Sequence, residues 1–195
     1  MREEDYLRSA RHIASSAFEH LLRPGDRAVD ATLGRGRDCA KLCELVGPNG
    51  RVYGFDTQEQ AVRETAALLV SLGFMERAEL HHLGHEHMTD VVPPGIRLAA
   101  FNLGWMPGSG KEVTTKAETT LTALHAALQL LLPHGMAILC VYPGHEEGTR
   151  EKEALLAFAG KLPPGRYTAL WHDFINGGHG APGCLMIEKL AGPGE

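Results

Sequence analysis

Apolar residues recur along this chain with two spacings. Short apolar runs that stop at a turn or an acid alternate with longer stretches whose apolar positions fall three and four apart, the signatures of buried strands and of amphipathic helices. Tyr6, Ala10, Ile13, Ala14, Ala17, Phe18 and Leu21 predict an N-terminal helix within residues 1–22, broken by Arg23-Pro24-Gly25-Asp26. Arg27-Ala28-Val29, ending in Asp30, predicts a first strand, and Val52-Tyr53-Gly54-Phe55, ending in Asp56, a second. Between them lie a glycine loop, Thr32-Leu33-Gly34-Arg35-Gly36, a helical pattern at Leu42, Leu45 and Val46, and the turn Pro48-Asn49-Gly50. A helix over Gln58 to Leu72 with Ala61, Val62, Leu68, Leu69 and Leu72 inward, ended by Gly73, leads to a third strand over Ala78 to Leu83. Arg97 to Phe101 predicts a fourth strand ending at Asn102. Thr119 to Leu132 predicts a helix with Leu121, Leu124, Ala127, Leu128 and Leu131 inward. Pro133-His134-Gly135 then turns into a fifth strand, Met136 to Tyr142. After a loop over Pro143 to Gly148, Arg150 to Leu162 predicts the last helix. Tyr167 to Phe174 and Leu185 to Lys189 predict a closing hairpin, and residues 190–195 a loose tail.

Strand and helix therefore alternate until a final antiparallel pair. This predicts one α/β domain over residues 1–195: a Rossmann-like, mostly parallel seven-stranded sheet with helices on both faces and a C-terminal antiparallel hairpin, the outline of a class I methyltransferase.

The first strand–loop–helix–strand unit indicates a ligand class. Glycines let the backbone turn sharply and approach a ligand closely. Ligands of open α/β sheets sit beyond the carboxyl ends of the strands, where Asp56 can accept both ribose hydroxyls. A dinucleotide site places a small residue third in G-x-G-x-x-G/A, whereas Cys39 stands there. Asp30 and Asp38 also put two acids beside the loop, which repel a pyrophosphate and suit the sulfonium and ammonium of S-adenosylmethionine. The competing assignment makes Asp30 and Asp38 helix caps alone.

Two other motifs invite chemistry and are set aside. His81, His82, His85 and His87 suggest a metal, but on a strand His81 and His82 point to opposite faces, and neither an H-E-x-x-H helix nor a cysteine pair accompanies them. No metal is expected, and this segment is placed near the adenine instead. Leu103 to Lys111 imitates a P-loop, but Trp105 stands where the first glycine belongs and Glu112 replaces the magnesium-binding Ser/Thr.

Composition narrows the picture further. A formal net charge of −5 excludes a global basic field, while leaving room for a local basic patch that meets RNA. No run approaches the roughly 18 apolar residues of a membrane span, and Met1-Arg2-Glu3-Glu4-Asp5 is not a signal peptide. Cys39, Cys43, Cys140 and Cys184 form no C-x-x-C and read as free thiols of a reducing cytoplasm.

The end of the fourth strand faces the reacting group in this architecture. Amine-methylating enzymes of the fold often place Asn or Asp there, followed by Pro-Pro-aromatic; here the run is Asn102-Leu103-Gly104-Trp105. A nitrogen nucleophile attacks through its lone pair, so its hydrogens must be held away from the methyl, and an Asn carbonyl accepts them. An aromatic nearby can stack on a base. Asn102 also suits a plain strand-end turn. An alkylamine, with a pKa of roughly 10.4, must lose a proton first. His145, in the loop after the fifth strand, is a candidate to take it, and equally a surface histidine.

Several stretches carry a wider likeness. They are Asp30-Ala31-Thr32 with Gly34-x-Gly36-x-Asp38, Phe55-Asp56-x-Gln58, His85-Glu86, and Asn102-Leu103-Gly104-Trp105-x-Pro107-Gly108 with Lys111. Further on come Thr115-Lys116-x-Glu118-Thr119-Thr120, Tyr142-x-Gly144-His145, Glu151-Lys152-Glu153 and Phe174-Ile175-Asn176, ending in Ile187-Glu188-Lys189. Together they resemble the bacterial methyltransferase family labelled rRNA methylase, the YtqB or MnmM type, from about Leu21 to Lys189. The resemblance implies S-adenosylmethionine-dependent methylation of 5-aminomethyl-2-thiouridine at the tRNA wobble position, with the anticodon stem-loop as partner; rRNA or a small amine is the alternative substrate, and a non-catalytic RNA-binding module the alternative class. It implies Asp30, Thr32, Gly34, Gly36, Asp38, Asp56, Thr57, Gln58, His85, Glu86 and Asn102 as cofactor residues, and Asn102, Tyr142 and His145 as the active-site rim. Arg35, Trp105, Lys111, Lys116, Arg150 and Lys152 are the candidate RNA contacts. A homodimer is compatible with the sequence. The chain departs from the family at Arg35, Arg37 and Cys39, at Pro143 where His is usual, and at His179-Gly180-Ala181-Pro182 where an Asn-Asn-Pro-Pro type run is usual.

Overall fold

The computed structural model describes residues 9–104, 115–178 and 180–192. Its helices are α1 (Ala10–Leu21), α2 (Arg37–Val46), α3 (Glu59–Leu72), α4 (Ala117–Leu130) and α5 (Glu146–Ala159). Its strands are β1 (Arg27–Asp30), β2 (Arg51–Asp56), β3 (Ala78–His82), β4 (Ile96–Asn102), β5 (Leu131–Val141), β6 (Tyr167–His172) and β7 (Gly183–Lys189).

The strands form one sheet in the order β3-β2-β1-β4-β5-β7-β6. β1 to β5 run parallel, and β7 lies antiparallel between β5 and β6. The sheet reverses direction of growth at β1 and β4, which places a crevice at their carboxyl ends. Successive residues point to opposite faces, so Ala28 joins one core and Val29 the other. One core gathers Ala10, Ala14 and Phe18 of α1 with Leu42 and Val46 of α2 and Leu69 of α3. The other gathers Leu124 and Leu128 of α4 with Leu155 of α5.

Three expectations are corrected. Leu72 is not on the inner face of α3 but half exposed, and Thr65 is the residue buried there with Ala61 and Leu69. β5 does not begin after a turn at Pro133-His134-Gly135. It starts directly at Leu131, and the three residues sit in a register shift opposite β4, with His134 at φ 60°. α5 starts at Glu146 rather than Arg150, because the His145 side chain accepts from the Gly148 N–H and caps it. The proposed tail is held at its start, since Leu190 N–H donates to Arg166 O at 2.8 Å.

Candidate active site

The glycine loop between β1 and α2 carries two positive-φ residues, Gly34 at 51° and Gly36 at 75°. Gly36 is the N-cap of α2, and a Cβ on it would lie 2.8 Å from Thr65 Oγ1 and 2.9 Å from Thr65 Cα, so the loop seats directly on α3. Asp56 closes the other side. Its Oδ2 accepts the Gly34 N–H at 2.9 Å and its Oδ1 the Gln58 N–H at 2.9 Å. Two backbone amides thus fix the carboxylate and leave a lone pair on each oxygen for a pair of hydroxyls.

A second group of polar side chains meets at the end of β4. Arg11 Nη2 donates to Asp38 Oδ1 at 2.8 Å, and Asn102 Nδ2 lies 3.4 Å from Asp38 Oδ2. The Asn102 backbone N–H donates to Thr32 Oγ1 at 2.7 Å. Tyr142, at the end of β5, borders this group. Burial, followed by the nearby Cys140, pushes its phenol up, so it keeps its proton at neutral pH.

The loop acids are less negative than the sequence implies. Asp30 is 1% exposed beneath the cavity. Desolvation, reinforced by the Asp38 charge, pushes it up to about 8, against the opposing hydrogen bond from Thr32 N–H. Asp30 is therefore largely a neutral acid at pH 7, and Asp38 is ion-paired with Arg11. His85 is also buried, and desolvation lowers its pKa. Its Nδ1 lies 3.0 Å from Ala31 O. A carbonyl only accepts, so Nδ1 carries the proton and the neutral ring keeps an acceptor at Nε2.

The opposite wall rests on a buried carboxyl. Glu151, 2% exposed on α5, accepts from Thr120 Oγ1 at 2.6 Å and from Thr115 Oγ1 at 3.2 Å. Thr115 and Gly104 exchange bonds, Gly104 N–H to Thr115 Oγ1 at 2.9 Å and Thr115 N–H to Gly104 O at 3.1 Å. Burial raises the Glu151 pKa, opposed by the two threonine hydroxyls. Glu147 adds a bond to the first amide of α4, from Ala117 N–H at 3.2 Å.

These groups enclose a cavity of about 730 Å³. Of the expected cofactor residues, Thr32, Gly34, Asp38, Asp56, Thr57, Gln58, His85, Glu86 and Asn102 line it, while Asp30 and Gly36 lie behind the surface. Tyr142, Arg35 and Lys116 line it as well. His145 does not; its Nδ1 is an acceptor at the start of α5, with the ring proton on Nε2. Arg150 is ion-paired along α5 with Glu146 and Glu147, and Lys152 sits 5.0 Å over the Trp171 ring. Trp105, Lys111 and His179 lie outside the described residues.

The four clustered histidines diverge. His81 stacks on Phe55 at 5.0 Å, His82 meets Thr57 O, His85 meets Ala31 O, and His87 faces Glu86 and Asp90. Among the described residues no group of three or more His, Cys, Asp or Glu side chains is placed to hold a metal ion. None of the described helices is long and apolar enough to cross a membrane.

Sequence reasoning missed Arg11 and gave Thr115, Thr120 and Glu151 only as parts of the family likeness, without their contacts or the burial of Glu151. Arg11 gives no signal, because its partner is 27 residues away. Glu151 did give one: it falls four residues before Leu155 and eight before Ala159, on the buried face of the helix.

Residues 52–188 match a family described as "Putative rRNA methylase". An Arabidopsis thaliana protein named tRNA (mnm(5)s(2)U34)-methyltransferase, chloroplastic, is 37% identical over 179 residues, covering 87% of this chain. This chain spans 65% of that protein's length. A crystal structure of a "putative rRNA-methylase" from Clostridium thermocellum superposes with a TM-score of 0.92 at 34% identity, covering 94% of this chain and 98% of the other. A "putative methyltransferase" from Streptococcus mutans, solved in complex with SAH, gives a TM-score of 0.85 at 32% identity, with coverages of 94% and 99%.

Proposed function

Because this chain belongs to the rRNA methylase family of class I methyltransferases, we propose that it is an S-adenosylmethionine-dependent N-methyltransferase. Its substrate is the 5-aminomethyl group of a (2-thio)uridine at the tRNA wobble position, and its product the 5-methylaminomethyl nucleoside. The observation that carries this reading is the setting of Asn102. The residue is held through its backbone by Thr32 and through its amide NH₂ by Asp38, in the same cavity as Asp56.

The residues present fit the cofactor. Asp56 offers its free lone pairs to a ribose diol, and Thr57, Gln58, His85 and Glu86 follow on the same side of the cavity. The glycine loop runs beneath, and the buried Asp30 carries an Oδ2 without a hydrogen-bond partner inside the protein. When bound, the cofactor supplies an electrophilic methyl on a sulfonium. Asn102 receives an N–H of the incoming amine on its carbonyl oxygen, which turns the nitrogen lone pair away from the side chain. Transfer would break the methyl–sulfur bond with its electron pair left on sulfur, and the proton released from the amine nitrogen would pass to solvent. With Asp38 paired to Arg11 and Asp30 neutral, the acids nearest Asn102 hold an ammonium less tightly, which favours the reactive free amine. Tyr142, kept as a phenol, walls this end.

RNA contacts follow from Arg35 and Lys116 at the cavity, a local cationic edge on a chain of net charge −5. The Arabidopsis relative's name describes a tRNA wobble methyltransferase, which supports this substrate over other RNA. The four buried thiols suit a reducing compartment such as the cytoplasm.

The test is methyl transfer from labelled S-adenosylmethionine to tRNA purified from cells lacking this enzyme, followed by nucleoside analysis. Label in 5-methylaminomethyl-2-thiouridine is the expected result. Label confined to rRNA or to small amines overturns the substrate, and failure to bind the cofactor in calorimetry overturns the enzyme class.

A further inference from the structure

We propose that Arg11 is a positioning residue for the transfer: through Asp38 it determines which end of the Asn102 side-chain amide is presented to the cavity. The proposal rests on the amine-methylating reading of Asn102.

An asparagine amide has a donating end and an accepting end of nearly the same shape, and only the carbonyl end can receive an amine N–H. The choice must be imposed by a neighbour. An ionised carboxylate is an acceptor only, so Asp38 selects the NH₂ end of Asn102 and leaves the carbonyl for the substrate. Asp38 serves in this way only while one of its oxygens faces Asn102 and the other is held elsewhere. The Arg11 guanidinium, 2.8 Å away on Oδ1, fixes the rotation of the Asp38 carboxylate, so that Oδ2 faces Asn102.

Arg11 is equipped for this by its helix. Ala10 and Ala14, buried at 1% and 4%, press α1 onto the sheet beside β5 and β7, so the Arg11 backbone is anchored. The guanidinium lines the cavity together with Asp38 and Asn102. The 3.4 Å span from Asp38 to Asn102 is long for a hydrogen bond, so a small turn of the Asp38 carboxylate would lose it. The chain Arg11–Asp38–Asn102 thus brings the N-terminal helix, α2 and β4 to one atom that meets the substrate.

The experiment compares wild type with Arg11→Met, Asp38→Asn and the double variant. It reads kcat at saturating cofactor on hypomodified tRNA, cofactor Kd by calorimetry, thermal stability, and the ¹⁵N side-chain amide resonance of Asn102. Arg11→Met is expected to lower kcat by on the order of 10- to 100-fold, the scale of a misplaced reacting group. Cofactor Kd should stay within about 3-fold, a change of under 1 kcal/mol. The double variant should be no slower than the slower single variant, since both break one chain. The Asn102 amide resonance should move in Arg11→Met. Arg11→Lys, which keeps the charge but not the fork, should recover part of kcat and serves also if the Met variant does not fold. Multiplying losses in the double variant, an unmoved Asn102 resonance, or a loss seen only in Kd would overturn the proposal. If the wild type methylates no tRNA, the substrate reading fails, and the Asn102 resonance still decides the positioning role.

Discussion

The two sides of the cavity are built by different means. On the side proposed for the nucleotide, the Asp56 carboxylate is fixed by backbone amides of Gly34 and Gln58, 22 and 2 residues away. On the side proposed for the reaction, side chains hold side chains across 27, 64 and 36 residues, as in Arg11–Asp38, Asn102–Asp38 and Thr115–Glu151. Backbone amides are present whatever the residue, so the first side tolerates variation around it. The second depends on each partner's identity, and removing one partner takes that bond from a part-buried group or, at Glu151, from a buried one.

The sharpest way to break this contrast is at its two anchors. Asn102→Ala should reduce kcat on the order of 100-fold while cofactor Kd changes little, because the amine loses its acceptor; equal losses in both parameters would erase the distinction between the sides. Asp56→Ala should act in the opposite way. Losing charge-assisted bonds to a diol costs about 2 kcal/mol, so cofactor Kd should rise about 30-fold in calorimetry.

Stability offers a second cut. Thr120→Val removes a 2.6 Å bond to the buried Glu151 and should cost about 1–3 kcal/mol in urea unfolding. Asp30→Asn should do the reverse in a pH-dependent way. The folded pKa of Asp30, about 8, lies above its unfolded value of 3.8, so the folded state holds a proton that the unfolded state has released. The native protein therefore loses stability from this group as pH rises between about 4 and about 8. Asp30→Asn, which keeps an acceptor for the Thr32 N–H, should gain stability over wild type across that window and level off above it; a constant difference would show that Asp30 titrates normally. His85 contributes with the opposite slope. Its lowered folded pKa means that stability is full above the unfolded value of 6.5 and falls as pH drops below it. The smallest effect separates the candidate RNA contacts: Lys116→Ala should lessen the salt dependence of tRNA binding by about one unit of slope, while Arg150→Ala, ion-paired away from the cavity, should leave it unchanged.

The same contrast explains what could be read from the residues alone. β1, the glycine loop, β2 and Asp56 were legible because their partners are near in sequence and their roles follow from glycine conformation and strand ends. Asn102 was legible from its place at the end of β4. Arg11 was not, since a cation on the first helix carries no mark of an aspartate two elements later. The charge of Asp30 was misread for a related reason: burial and the nearness of Asp38 are properties of the folded chain. His145 shows how an element boundary changes a residue's setting: the sequence reads it as a loop residue, a candidate to take the proton and equally a surface histidine, and the structure makes its Nδ1 an acceptor at the first turn of α5.

The insertion of β7 between β5 and β6 has a consequence for the order of assembly. β6 has no partner in the sheet except β7. During synthesis from the N-terminus, β1 to β5 can close the parallel part of the sheet while the right-hand edge of β5 waits. β6 emerges next and finds no adjacent strand to pair with. When Gly183–Lys189 arrives it can pair with β6 as a hairpin and with the waiting edge of β5, burying Cys184, Leu185 and Ile187. The β5–β7 row is therefore a late and non-local pairing, and until it forms the nascent chain carries an open strand edge on which another chain could template.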